Sequence, residues 1–511
     1  MDIKGSQRSA LRQLRPVSVL GLVLALLLGG CASKPDESKR GTVGFVRGFV
    51  GGVVADEPQA ALVGRDILAA GGSAADAAVA TYFTLAVTLP SAATLGGGGI
   101  CLVHDQAKGT TEMLDFIAVA PAGLGGTVAV PANARGFFIL HSRHGRLKWG
   151  QVLSPAANAA RFGVRVPRAL AGDLAAAGGA ILSDANMRRI FGRRDGAGAL
   201  AEGEQLVQAD LAATIDRIRN QGPGEFHLGA GASMLAEAYR AAGLALTRED
   251  LRLAAPVWRK PISMPVEVSG RRAIAHFAAP PASGGAVTAK IAVGLLENNR
   301  YQRASVADRL PLFAEAAARA AAERTPQPSP ADGFAASIIV AADPSGMAVV
   351  CAVTPNAAFG AGRIAPGTGI IPAVAPDASG RGPAALTAML VHDRRGDGVY
   401  FAGGASGGAA AATALAQVAA DAAAGRLLED ALAAPRIYPG GRGGAAETIY
   451  HEDQLDAAAR GALNGRGHRL GAVPSLGIVN ALFCARGLAD APETCALGAD
   501  PRGRGLAAGA D

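Results

Sequence analysis

The chain has 511 residues, of which 50% are hydrophobic and 18% charged, a balance that excludes global disorder, because disordered chains are poor in apolar residues and rich in charge. Its 69 glycines follow no three-residue period, which excludes a collagen-like rod and predicts many tight turns instead. The 49 lysines and arginines exceed the 42 acidic residues only slightly and are not gathered in runs, so nothing points to a nucleic-acid partner.

Residues 1–30 read as a separate unit. Lys4, Arg8, Arg12 and Arg15 outweigh Asp2, and residues 17–30 are apolar without a charge. That run is shorter than the ~20 residues a membrane-spanning helix needs, and a basic start followed by a short apolar stretch is the layout of an export signal. It ends Leu28-Gly29-Gly30-Cys31, which resembles a bacterial lipobox, whose cysteine becomes the acylated first residue of the mature protein. The expectation is a lipoprotein signal peptide over 1–30, lipid on Cys31, a tether over 31–41, and a folded body held to the membrane through that lipid. An ordinary secretory signal with a cysteine at this place is the alternative. Ala32-Ser33 lacks an aspartate retention signal, so the expected location is the periplasmic side of the bacterial cell envelope, at the outer membrane.

In the body, Val63, Ile67 and Ala70 share one helical face before Gly71-Gly72, which predicts a helix over 58–70 with a glycine stop. Ser73 and Asp76 form a capping-box pattern for a second helix to about Val87, stopped by Pro90. The run Gly96-Gly97-Gly98-Gly99 leads from a helix into a strand, the reverse of a phosphate-binding loop, so a nucleotide is not expected. A mostly helical stretch from Pro131 to Glu249 follows, then strand, turn and helix to Leu296. The segment 323–333 is the most linker-like and divides the body into a larger region, 42–330, and a smaller one, 334–511. Beyond it, two apolar runs flank Asp343-Pro344-Ser345-Gly346, a hairpin signature. Strands near 386–392 and 398–403 then lead to Gly407-Gly408 and an alanine-rich helix over 409–423. Strands and helices in both halves predict a layered α+β fold.

Cys101 and Cys351 lie in apolar strand-like runs and read as buried thiols, whereas Cys484 and Cys495, in a Gly- and Pro-containing stretch, are candidates for a disulfide in an exported protein. No Cys/His spacing fits a zinc site, and no metal is expected. His104, His276 and His392 sit on strands and read as structural; Trp149 and Trp258 read as core.

Taken together, Gly71-Gly72-Ser73-Ala74-Ala75-Asp76-Ala77-Ala78, Leu95-Gly96-Gly97-Gly98-Gly99, Leu114-Asp115-Phe116, Leu246-Thr247-Arg248-Glu249-Asp250-Leu251, Pro280-Pro281-Ala282-Ser283-Gly284-Gly285, Phe359-Gly360-Ala361-Gly362, Ser406-Gly407-Gly408, Ala434-Pro435-Arg436 and Asp500-Pro501-Arg502 resemble, in this order, the γ-glutamyltransferase (γ-glutamyltranspeptidase, glutathione hydrolase) family of N-terminal-nucleophile hydrolases. The resemblance implies a four-layer αββα sandwich, and a precursor that cuts itself so that a new N-terminal threonine becomes nucleophile and base at once. It implies no metal or organic cofactor, and a small-molecule γ-glutamyl amide as ligand. By the same resemblance Gly407 and Gly408 hold the oxyanion-hole positions, Thr354 matches a second threonine near the nucleophile, and Asn356 matches an asparagine that helps hold the substrate.

The chain departs from the pattern at the chemistry itself. Counting back from Asp343 and Gly346 puts the nucleophilic threonine at Ala336 and the next threonine at Ser337. The arginine that binds the glutamyl carboxylate is Ile117, the acidic segment that receives the α-amino group is Pro372-Ala373-Val374-Ala375-Pro376-Asp377-Ala378, and a serine pair is Ala384-Ala385. Three outcomes follow: γ-glutamyl transfer and hydrolysis lost or altered, an amide or γ-glutamyl hydrolase or transferase that uses Ser337 or an unconventional group, or ordinary glutathione hydrolysis despite these replacements. Strand register discriminates between them, because a one-residue shift flips every side chain. A type I turn closed by a left-handed Gly346 sets Asp343 against Met347 and Ala336 against Thr354, and turns Ser337 away from the pocket. Arg363, alone in the small-residue run 359–369, is a candidate substitute cation.

Overall fold

The computed structural model describes residues 45–47, 51–122, 127–282, 284–322, 335–376, 386–395, 398–440 and 448–510. The expected signal, Cys31 and the tether lie outside the described residues, as do the linker 323–333, Asp377-Ala378 and Ala384-Ala385. The body, Val43–Asp511, is one unit.

Fourteen strands build two large sheets: β1 Phe45–Arg47, β2 Gly52–Ala55, β3 Gly98–Asp105, β4 Thr110–Phe116, β5 Val257–Arg259, β6 Ile262–Val268, β7 Arg271–Phe277, β8 Ser337–Ala342, β9 Ala348–Thr354, β10 Thr387–Asp393, β11 Val399–Ser406, β12 Ile478–Cys484, β13 Cys495–Gly498 and β14 Leu506–Gly509. One sheet runs β1-β13-β12-β11-β10-β7-β6 and the other β14-β2-β8-β9-β3-β4-β5. Period-two alternation sends side chains to opposite faces. Ile338, Val340, Ile100, Leu102, Leu390 and Leu482 therefore meet in an apolar layer between the sheets. Ile339, Cys101 and Val103 pack outward on one helix layer, and Met389, Val391 and Val479 on the other. This is the expected α+β, four-layer αββα sandwich. Both halves of the chain contribute to both sheets, so the division at the linker is one of sequence, and the two regions share one core.

Local rules fix the elements that hold the site. Glu57 caps the helix Pro58–Ala69 through Gln59 and Ala60 N–H at 2.9 Å each, with Pro58 at the first helical position. Ser73 and Asp76 close a reciprocal capping box on the helix Ala74–Thr88, every residue of which is buried. The glycines at the start of β3 serve close backbone approach: a Cβ on Gly97 would lie 2.4 Å from Thr354 O, and one on Gly98 2.2 Å from Ala118 N.

The 343–346 turn takes the predicted form. Gly346 has φ 83°, Asp343 N–H donates to Met347 O at 3.0 Å, and Ser337 pairs with Val353, which carries the register on to Ala336 and Thr354. The cysteines differ from expectation. Cys101 and Cys351 form a disulfide because β3 and β9 are neighbours with these two residues directly opposite; a buried-thiol reading needed no partner and so missed it. Cys484 and Cys495 are likewise opposed and bonded.

Gly98→Ala forces a methyl against Ala118 N and Phe116 O, so it is expected to cost about 1–3 kcal/mol, the usual range for overpacking. The check is a lowered guanidinium midpoint with unchanged slope; an unaltered midpoint contradicts the close-approach role.

Candidate functional site

A cavity of about 640 Å³ opens where β8 begins, walled in part by Asp56, Ala336, Ser406, Gly407, Arg168, Arg502 and Arg504. Ala336 presents its methyl group there and packs against the inter-sheet layer. Ser337, one residue on, has no place on the cavity wall. It is wholly buried, and its hydroxyl donates to Asp56 Oδ2 at 2.9 Å.

Asp56 ends the buried strand Gly52–Ala55 and gathers a compact set of donors. Ile338 N–H donates to Oδ2 at 2.8 Å, and Asn480 Nδ2 donates to Oδ1 at 2.8 Å and to Ile338 O at 3.1 Å. Burial pushes the carboxyl up to about 6, against the opposing pull of these hydrogen bonds. Sequence reasoning passed over this residue because its partners Ser337, Ile338 and Asn480 are distant in the chain; the available signal was an acidic residue directly following Val53-Val54-Ala55.

Thr354 faces inward but is occupied. Its hydroxyl donates to Ala335 O and accepts Asn356 N–H at 2.8 Å, so it pins the segment entering β8. Asn356 is held in the left-handed region at φ 67°, and its Nδ2 donates to Val374 O at 2.8 Å; its Oδ1 is buried with no partner among the described residues. Gly407 lies on the cavity wall with φ 114°, and a Cβ there would sit 2.6 Å from Gly477 Cα. Gly408 opens the turn Gly408–Ala410 into the helix Ala411–Ala423. Behind Gly407, Arg436 Nη1 donates to Gly477 O at 2.7 Å, and Asp500 bonds both Arg436 and Val479 N–H, the latter at 2.8 Å.

The structure thus brings Ala336, Gly407 and Asp56 to one cavity. Arg363 lies elsewhere, its Nη1 donating to Ala242 O at 2.8 Å on an exposed surface. Ile117 lines a separate cleft of about 210 Å³, whose cation, Arg259, is bound 2.7 Å from Asp115. At the cavity beside Ala336, Arg168 pairs with Glu202 at 3.2 Å, and Arg502 is engaged by Glu452 and Asp500. No cluster of three or more His, Cys, Asp or Glu among the described residues is arranged to hold a metal. None of the described helices is long and apolar enough to cross a membrane. Chemically, the cavity offers a glycine-lined wall, the carboxyl groups of Asp56, Asp173 and Glu202, and the methyl group of Ala336.

The family model for gamma-glutamyltranspeptidase matches residues 60–333 and 326–510. The glutathione hydrolase proenzyme of Escherichia coli (strain K12) is 33% identical over 336 residues, 59% of this chain and 56% of that protein. The glutathione hydrolase proenzyme of Pseudomonas aeruginosa is 34% identical over 270 residues, 48% of this chain and 46% of that one. The chain therefore spans about half the length of the curated relatives it matches. A solved cephalosporin acylase from Bacillus halodurans superposes with a TM-score of 0.76 at 22% identity, covering 94% of this chain and 99% of that chain, a likeness of fold.

Asp56 gives the site a pH signature. Its folded pKa lies above the unfolded value of 3.8, so between pH 4 and 6 the folded chain keeps a proton that the unfolded chain releases. Its contribution is most favourable below about pH 4, declines as pH rises through about 6, and is flat above, a total of about 3 kcal/mol. Asp56→Asn cannot ionise, and its urea stability is expected to lack this decline; identical pH slopes for variant and wild type contradict the assignment.

Proposed function

The chain belongs to the gamma-glutamyltranspeptidase family, and within it we propose a lipid-anchored member whose γ-glutamyl transfer and hydrolysis are lost or altered. The observation that carries this reading is Ala336 on the cavity wall beside Gly407. An acyl-enzyme needs an oxygen, sulfur or nitrogen nucleophile, and a methyl group supplies none. Ile117 in place of an arginine removes the planar fork that would bind a glutamyl carboxylate, which supports a changed ligand: a small-molecule amide or a γ-glutamyl-like compound that the cavity binds. The lipobox-like run before Cys31 supports attachment through lipid to the periplasmic side of the cell envelope, at the outer membrane.

A second reading rests on the Ser337 to Asp56 hydrogen bond. Cleavage of the 336–337 peptide bond would place the new Ser337 amine beside a buried carboxyl, in an amide or γ-glutamyl hydrolase with Ser337 as N-terminal nucleophile. Against it stands the direction of the hydroxyl, toward Asp56, with Gly407 on the cavity wall that Ser337 does not reach.

Under the first reading, purified protein runs as one band on a denaturing gel, and γ-glutamyl-p-nitroanilide turnover does not exceed that of Thr354→Ala. Two fragments, the smaller beginning at Ser337, overturn it in favour of the second; activity that survives Ser337→Ala then removes the second as well. For the anchor, labelled palmitate is expected to enter the wild-type chain and to be absent from Cys31→Ala; equal labelling refutes attachment at Cys31.

A further inference from the structure

Away from the cavity, three imidazoles meet inside the inter-sheet layer. His104 on β3 stacks on His392 of β10 with centroids 4.5 Å apart, and His392 stacks on His276 of β7 at 4.8 Å. They are 0%, 7% and 7% exposed, respectively, and they join strands of both sheets.

Hydrogen-bond chemistry fixes the protons of the His276–His392 pair. His392 Nδ1 lies 2.5 Å from Asp393 O; a carbonyl only accepts, so this nitrogen carries hydrogen. In a neutral ring Nε2 is then bare, and at 2.8 Å from His276 Nε2 it must accept from that nitrogen. His276 Nδ1 is bare in turn and accepts from the Ser263 hydroxyl at 2.8 Å. The result is a directional chain, Ser263 to His276 to His392 to the Asp393 carbonyl. On the other side of the stack, His104 Nδ1 lies 3.0 Å from Thr111 Oγ1.

We propose that this stack is an acid-sensitive clasp between the two sheets, closed while its rings are neutral and opened by uptake of two protons. A first proton can settle on His276 Nδ1 if the Ser263 hydroxyl turns round to accept it. A second on His392 puts hydrogen on Nε2, a donor facing a donor, and sets two cations in a dry layer less than 5 Å apart. Asp393, beside His392, is the carboxylate that favours the charged form. Among the described residues, those paired with the rings across the adjoining strands are Thr111 and Ala348 opposite His104, Ser263 and Leu390 opposite His276, and Ile274 and Val399 opposite His392, none of them an acid or a base. Burial accordingly lowers His392 and brings His276 to about 3. The sign is opposite to that of Asp56. Between the unfolded imidazole value near 6.5 and the lowered folded values, the unfolded chain binds more protons, so this contribution is complete above about pH 6.5 and is lost as pH falls.

The test compares urea unfolding of the full chain from pH 7.5 to pH 4 with that of His276→Phe/His392→Phe. Asp56 contributes equally to both, so the difference in slope isolates the rings, and the variant is expected to take up about two fewer protons on unfolding. Hydrogen exchange in the wild type is expected to lose protection at pH 4.5 first around residues 101–105, 273–277 and 389–393. Equal slopes, or earlier loss in other strands, overturn the proposal. Should the double variant not fold, ring-nitrogen NMR of the wild type decides. Bare Nδ1 on His276 with protonated Nδ1 on His392 at pH 6 supports the clasp; both rings titrating near 6.5 overturns it.

Discussion

The register of one hairpin governs the chemistry of this molecule. Because β8 and β9 are joined by the Asp343-Pro344-Ser345-Gly346 turn, Ser337 opposes Val353, and neighbouring residues must face opposite layers. Ala336 borders the cavity, and Ser337 turns back to Asp56. A turn shorter by one residue would exchange the two. The left-handed Gly346 therefore decides, from nine residues beyond the strand's start at Ser337, whether a methyl or a hydroxyl faces the cavity.

The wall opposite is built by a different principle. Arg436 is almost fully buried and is met by Asp500, Leu432 O, Leu476 O and Gly477 O. Removing either partner of such a pair strands a buried charge, which is why buried ion networks constrain geometry more surely than they add stability. Here the constraint reaches Gly477, against which Gly407 closes too tightly for any side chain. The glycine of the cavity wall is held by backbone carbonyls and the Arg436 guanidinium, none of which lines the cavity.

Much of this was legible in the sequence where the cause is local. Ser73 and Asp76 announce their capping box within four residues, and Gly346 announces its turn. The order of glycine-rich motifs pointed to the family and so to the αββα layers. What escaped depends on pairing between distant strands. Cys101 and Cys351 are separated by 250 positions, and only the adjacency of β3 and β9 makes them a bond. Asp56 gains its role from Ser337, Ile338 and Asn480, and no periodicity near Asp56 names any of them. Arg363 was singled out as the charged residue of a small-residue run, but sequence proximity to Asn356 does not fix the direction of a long side chain, which here reaches Ala242 O.

The dry interior acts alike on Asp56 and on the histidine stack. Desolvation is the leading cause both for the raised Asp56 carboxyl and for the lowered His276 and His392 rings: a low-dielectric environment favours whichever form carries no charge, so it holds acids protonated and bases unprotonated. At Asp56 the opposing donors are Ser337, Ile338 and Asn480, and they leave a carboxyl that titrates within reach of neutral pH. At His276 the titratable partners are the other imidazoles, His392 and His104, which lower it further. The same layer therefore gives the cavity a group able to exchange a proton under ordinary conditions, while making the clasp inert until the medium is acidic. That division follows from which hydrogen-bond partners the strands deliver to each group.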